Sequence, residues 1–223
     1  MINCPGDRRQ ELAAFYASLF GEDRWRIPRL VFGEGLDHPP VWGDGERPQQ
    51  LHLEAEVRDI DAVAEGVTSN GGTLMEETAD RRTYADPVGH AVTVIGSATR
   101  SDGALPVLAR VVIDCSDPSG LASFHQELLS MPTRVDEPPD RLVIASDDGR
   151  PELAFVRVAP YVAPRWPDPA FPAQMHFDLK FYDRVAATAL VEGLGATRLP
   201  DGGSCPVYAD PAGHPFCLCM HGQ

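Results

Sequence analysis

Gln50-Leu51-His52-Leu53-Glu54-Ala55-Glu56-Val57 returns 124 residues later as Gln174-Met175-His176-Phe177-Asp178-Leu179-Lys180-Phe181, and this repeat decides the fold. In both copies apolar and polar residues alternate with period two. Each is therefore a strand with one face buried under a helix and the other carrying His, Asp or Glu, and Lys. The same offset holds without a gap from Gln50 to Val94. Trp42, Asp44, Pro48 and Asp59 return as Trp166, Asp168, Pro172 and Asp183, and Tyr84-Ala85-Asp86-Pro87 returns as Tyr208-Ala209-Asp210-Pro211. A fixed offset held across helix, strand and turn signals means two copies of one structural unit in tandem.

Working outward, Asp7 and Gln10 stand at capping-box positions ahead of an apolar helical stripe, Leu12, Phe15, Tyr16, Leu19 and Phe20, which Gly21 stops. After Ser116-Asp117-Pro118, Leu121, Phe124, Leu128 and Leu129 repeat that spacing, with His125 in place of the tyrosine. Each of these helices follows a short strand: Val111 to Cys115 in the second module, and only the stub Ile2-Asn3-Cys4 in the first, which therefore reads as truncated. Further strands are expected at Arg29 to Phe32, Arg141 to Ala145 and Glu152 to Val158. The alternating strands lead into helices, Ile60 to Asn70 and Val185 to Leu194, stopped by Gly71 and Gly195. Hairpins follow around Asp86-Pro87-Val88-Gly89-His90 and Asp210-Pro211-Ala212-Gly213-His214, where Pro fixes φ and Gly supplies a positive φ.

Strand, helix and three strands are thus written four times. The expected fold is α+β, with four βαβββ halves in two modules, residues 1–97 and 105–223, joined by a small, polar linker over 98–104. A formal charge of −14 opposes binding to nucleic acid or to an anionic membrane, because both draw affinity from clustered Lys and Arg. No secretory leader and no apolar run long enough to span a bilayer is present, so a soluble, cytoplasmic protein is expected. Five cysteines, an odd number in a long chain, do not form a secreted disulfide framework, and Cys4 and Cys115 fall in apolar strands as small buried hydrophobes.

Phe15-Tyr16 followed by Leu19-Phe20-Gly21, the paired Gln-x-His strands, and Tyr-Ala-Asp-Pro-x-Gly-His written twice resemble the vicinal oxygen chelate superfamily, in its glyoxalase-like subgroup. The likeness covers almost the whole chain. It implies that the two halves of a module form a U-shaped mixed sheet around a pocket, with helices outside. It also implies, for enzymes of the superfamily, a divalent metal held by four cup-facing residues: a histidine opening the first strand of each half and a carboxylate or amide on each last strand. Here His176 matches, but the corresponding positions hold Arg110, Val156 and Cys217. In the first module His52 matches, Thr93 replaces the glutamate, and the remaining first-strand position falls before Met1. One conventional ligand per cup is short of the three or so that a catalytic metal needs, so the expectation is no metal cofactor. The alternative is a divalent metal (Zn, Fe or Mn) on a different set, since His176 and Asp178 share a strand face with Cys217 beside them.

Several candidates each carry two readings. His176, with Asp178, can orient a substrate or act as general base, or it can be a hydrogen-bonded structural histidine. Lys180 shares its face. Arg110 and Asp114 are expected to face the second module's cup, where Arg110 either forks onto a ligand carboxylate or enolate or pairs with Asp114 or Asp178. Cys217 supplies a thiolate or packs inertly beside Cys219. His52, Glu54 and Thr93 line the first module's cup. Trp42 and Trp166 cover the mouths of the cups or pin long crossings to the sheet. His90 and His214 serve their turns.

The function expected is binding of a small organic molecule without a metal, as in drug-sequestering and bleomycin-resistance-like members. The opposing class is a lyase, isomerase or cyclase that uses His176 with Asp178 or Arg110, or a metal-dependent lyase with unusual ligands. The partner is then a small molecule. A homodimer, or an exchange of halves between modules, is open because an exposed sheet edge invites pairing.

Overall fold

The computed structural model describes residues 1–21, 30–34, 49–137, 140–148, 151–168, 171, 173–200 and 205–222. The first half holds β1 (Ile2–Cys4), α1 (Arg9–Phe20) and β2 (Phe32–Glu34). The second holds β3 (Leu51–Val57), α2 (Asp61–Ser69), β4 (Thr73–Glu77), β5 (Arg81–Ala85) and β6 (Ala91–Gly96). The third holds β7 (Val107–Cys115), α3 (Pro118–Leu129), β8 (Thr133–Glu137), β9 (Arg141–Ala145) and β10 (Glu152–Arg157). The fourth holds β11 (Phe177–Phe181), α4 (Arg184–Gly193), β12 (Thr197–Arg198), β13 (Val207–Ala209) and β14 (Pro215–Met220). Of the strand expected at Arg29 to Phe32, Arg29 lies outside the described residues and the described strand is Phe32–Glu34, which runs parallel to β1 as β10 runs parallel to β7 and so is the last strand of its half.

The halves do not close within their own modules. β3 pairs antiparallel with β7, so the second and third halves build one eight-stranded sheet in the order β4-β5-β6-β3-β7-β10-β9-β8. The first and fourth halves meet in the same way on a smaller scale. Ile2 bridges Met175 antiparallel, Asn3 N–H donates to the Gln174 carbonyl at 3.0 Å, and His176 N–H donates to the Met1 carbonyl at 3.0 Å. The two cups are therefore a central one, from halves two and three, and a terminal one, from halves one and four. The buried Gln174 stitches them together, its Oε1 accepting from Gln50 N–H at 2.9 Å and Gln49 Nε2 at 3.1 Å.

Helix stripes pack on the convex faces as the periodicity requires. Leu12, Phe15, Tyr16, Leu19 and Phe20 of α1 join Leu51, Leu53, Ala55 and Val57 of β3 in the main core. Each large apolar side chain there contributes about 1.5–3 kcal/mol by leaving water. Phe177, Leu179 and Phe181 turn to the other core, with Phe124, Leu128, Val191 and Phe216. The caps follow the sequence only in part. Asp183 accepts from Val185 N–H at 2.9 Å and Ala186 N–H at 3.1 Å, as the start of a helix wants. Asp7 does not cap: it lies in a 3-10 turn, Gly6–Arg8, and α1 begins after Arg8 with no side-chain cap.

The two Asp-Pro-x-Gly-His turns are built alike and anchored to the preceding helices. Asp86 Oδ1 accepts from Val88 and His90 N–H, both at 2.9 Å, while Gly89 takes φ 98°. Asp86 Oδ2 is then left for the Tyr16 hydroxyl of α1 at 3.0 Å and His90 Nδ1 at 3.1 Å. In the fourth half Asp210 repeats the turn, and His125 of α3 takes the tyrosine's place, Nε2 to Oδ2 at 3.2 Å. His90 and His214 thus serve turn structure through Nδ1. The exchange of tyrosine for histidine conserves a donor to one buried carboxylate.

One cysteine expectation needs correction: Cys219 is not a thiol packed beside Cys217 but is disulfide-bonded to Cys205, with Cα atoms 5.0 Å apart. The antiparallel register that sets Val207 against Cys217 sets Cys205 against Cys219, a pairing invisible to a count of cysteines. Cys4 and Cys115 are buried thiols outside any disulfide, as expected.

Candidate functional site

Exchange of halves redistributes the candidate residues. Arg110 and Asp114 do not share a cup with His176: Arg110 stands opposite Glu54 on the floor of the central cup, next to a bulge in the β3–β7 pairing. They are expected in the second module's cup, but β7 pairs with β3 of the first module. Arg110 does pair internally, with partners other than those expected. Its Nε donates to Glu152 at 2.6 Å, and its other nitrogens lie 3.7 Å from Glu54 and from Glu137.

A network of ion pairs crosses the floor of the central cup. Glu54, with a side chain only 2% exposed, accepts a two-pronged contact from Arg141 at 2.9 and 2.6 Å. Arg141 Nε also lies 3.0 Å from Glu137, within ion-pair range though not aligned as a hydrogen bond. Burial pushes the Glu54 carboxyl up, but the Arg141 hydrogen bonds and charge outweigh it and hold the group below its ordinary value. Nearby, burial lowers His52 to about 4 and raises Asp114 to about 6, the latter against a smaller opposite pull from His214. Thr93 is hydrogen-bonded to Thr83 at 2.9 Å. Val112, Val143 and Ala154 pack together as an apolar floor. Arg141, Glu137 and Glu152 were missed in the sequence. Alternation along Arg141 to Ala145 and Glu152 to Val156 could have placed them on the cup face, but only the β3–β7 pairing brings Glu54 to them.

The four positions that the resemblance assigns to a metal do not fit one here. His52 is present, but Thr93 is engaged with Thr83, Arg110 brings a positive charge already held by Glu152, and Val156 is apolar. In the terminal cup, Gly33 pairs with Asn3 as Val156 pairs with Asp114, so its position offers no side chain. The family-type set of four is absent from both cups among the described residues.

The terminal cup keeps the remaining candidates together. β11 begins at Phe177 rather than Met175, yet the alternation expected there holds: Phe177, Leu179 and Phe181 reach the core, leaving Asp178 and Lys180 on the other face. His176 Nε2 lies 3.5 Å from Asp178 Oδ1. Parallel pairing of β11 with β14 sets Asp178 beside Cys217 and Lys180 beside Cys219. Burial raises the Cys217 thiol to about 11, helped by the Asp178 charge, so it is not activated as a nucleophile. Burial pushes the Asp178 carboxyl up, but His176, the Met1 amino group and Cys217 together hold it below its ordinary value.

Beside this polar group lies a cavity of about 600 Å³. Leu30 and Val31 of the first half, with Leu51, Leu53, Leu108 and Val111 from the helix-facing side of β3 and β7, give it an apolar wall, and His176, Asp178 and Lys180 mark its polar end. Size and lining suit a small organic molecule with one polar group. Trp166 is half-buried in a crossing that Tyr161 ties to the last turn through its hydroxyl bond to the Ala212 carbonyl at 2.7 Å. Trp42 lies outside the described residues.

The glyoxalase-like domain family matches residues 2–95 and again 110–219. Glyoxalase I from Zea mays is similar in fold, with a TM-score of 0.64 at 17% identity, covering 97% of this chain and 89% of that one. A putative dioxygenase from Bacillus subtilis gives 0.61 at 13% identity, over 100% of this chain and 84% of that one. No curated protein sequence matches. Identities this low speak for the fold alone.

Proposed function

The chain belongs to the glyoxalase-like domain family, whose domain it carries twice, and we propose that it binds one small organic molecule at the terminal cup, in the cavity between His176 and Asp178 and the helix-facing side of β3 and β7, without the four-ligand metal that the resemblance implies. The observation that carries this reading is the contrast between the cups. Beside His176 and Asp178 of the terminal cup lies a cavity of about 600 Å³ whose apolar wall is the helix-facing side of β3 and β7, whereas the floor of the central cup is crossed by the Glu54, Arg110 and Arg141 ion pairs. The role is sequestration: the apolar body of the ligand lies on Leu51, Leu53 and Val111, and its polar group meets the imidazole. No helix among the described residues is long and apolar enough to cross a membrane.

A thermal-shift screen of small molecules tests this. A ligand at one hundred times its Kd stabilises by about 2.7 kcal/mol. His176→Ala and Leu53→Trp should remove the shift, while Thr93→Val in the central cup should keep it. A shift lost with Thr93→Val and kept with the other two refutes the choice of cup.

The His176–Asp178 pair favours a second reading, a lyase or isomerase in which the imidazole moves a proton and the carboxylate orients it. Turnover of the bound molecule, abolished by His176→Gln with binding retained, supports that reading over sequestration.

A further inference from the structure

Three side chains of different chemistry converge at the polar end of the terminal cup. His176 and Asp178 project to the same side because they are two residues apart, and Cys217 is the direct neighbour of Asp178 across the β11–β14 pairing. One ligand atom from each lies within 4.8 Å of the other two, and all three residues are half-buried. The structure provides an imidazole nitrogen, a carboxylate oxygen and a sulfur, on backbone that strand pairing holds in place.

We propose that His176, Asp178 and Cys217 form a zinc-type cation site. Tetrahedral zinc with bonds of about 2.0–2.3 Å sets its ligand atoms roughly 3.3–3.8 Å apart. His176 Nε2 and Asp178 Oδ1 already stand 3.5 Å apart, and closure asks for the Cys217 sulfur, within 4.8 Å of both ligand atoms, to come into bonding range. Sulfur and imidazole together select zinc over magnesium, calcium or manganese, which prefer all-oxygen surroundings. The set is not the one the family resemblance implies: it uses a thiolate in place of a glutamate and recruits Asp178, a position outside that pattern. Binding releases the Cys217 thiol proton to solvent, His176 binds as neutral imidazole, and the two anionic ligands balance the charge of the cation.

Three protein ligands leave the fourth position open, and His176 and Asp178 both line the cavity. The site therefore names a ligand class: an apolar molecule carrying one anionic oxygen or a thiol to complete the coordination. This rests on the reading that the terminal cup is the one that binds. Loaded with zinc, His176 is a ligand rather than a base, which separates this inference from the acid–base reading.

The experiment is direct titration of chelator-treated, disulfide-bonded protein with zinc against a competing chromogenic chelator, followed by cobalt substitution. One equivalent should bind, and cobalt should show a thiolate charge-transfer band. Cys217→Ser should abolish the band, and both Cys217→Ser and His176→Gln should weaken zinc on the order of 100-fold or more, since losing even an outer-shell partner costs about 10–100-fold. His52→Gln, in the other cup, should leave affinity unchanged, and far-UV circular dichroism of each variant checks that it folds. Substoichiometric binding, or one equivalent that survives both substitutions, overturns the proposal. The two readings fail separately: an organic ligand bound undiminished by a protein that takes no zinc removes the metal site alone. Stoichiometric zinc with no organic ligand in that cup removes the binding function alone.

Discussion

Replacing Glu54 by glutamine tests whether the central cup is plugged. The Glu54 side chain is 2% exposed and that of Arg141 18%, with the two joined at 2.9 and 2.6 Å. Removing one partner of a buried pair costs about 3–5 kcal/mol, because the other charge stays behind without compensation. Here Arg141 keeps Glu137, but that carboxylate is 37% exposed and compensates weakly, so the expected loss is toward the lower end, about 3 kcal/mol. With a urea m-value of about 2 kcal/mol/M, the unfolding midpoint should fall by roughly 1.5 M. The loss should persist in high salt, since a buried pair is poorly screened. Changing both partners, Glu54→Leu with Arg141→Met, should recover most of the loss, because neither charge is then stranded. A loss under about 1 kcal/mol, or one that vanishes in salt, means the carboxylate is solvated and the cup open. The contrast that assigns the ligand to the terminal cup would go with it.

Asp114 offers a pH test. Burial raises its folded pKa to about 6, above the unfolded value, so its contribution is most favourable below the unfolded pKa and is lost as pH rises through 6. Asp114→Asn should therefore stabilise by up to about 3 kcal/mol at pH 8 and converge with the parent near pH 4; an offset constant across that range refutes the assignment. Cys205→Ala should destabilise by about 3 kcal/mol, the loop-closure value for a bridge spanning 14 residues. Thiol titration of the unfolded protein should rise from three reactive cysteines, Cys4, Cys115 and Cys217, to four; an unchanged midpoint refutes the bridge.

Much of this architecture was legible in the chain. The gapless offset gave the tandem modules, period-two alternation along Leu51 to Val57 and Phe177 to Phe181 gave the buried and polar faces, and the Asp-Pro-x-Gly-His segments gave the turns. These are local signals, set by which side of a strand or helix a residue occupies and by which residues tolerate a positive φ. The candidate site was legible in part for the same reason: alternation puts His176 and Asp178 on one face, while Cys217 joins them from the neighbouring strand β14.

Tertiary structure alone decided which strands became partners. Backbone hydrogen bonds are alike in every strand, so alternation cannot tell whether β7 lies beside β11 or beside β3. That one choice moved Arg110 and Asp114 into the central cup and gave Glu54 the partners Arg110 and Arg141. It also left the cavity to His176 and Asp178. The facing of Cys205 on Cys219 is of the same kind, a consequence of register between β13 and β14. Faces are a property of the strand itself, whereas partners depend on how four similar halves bury their convex sides together.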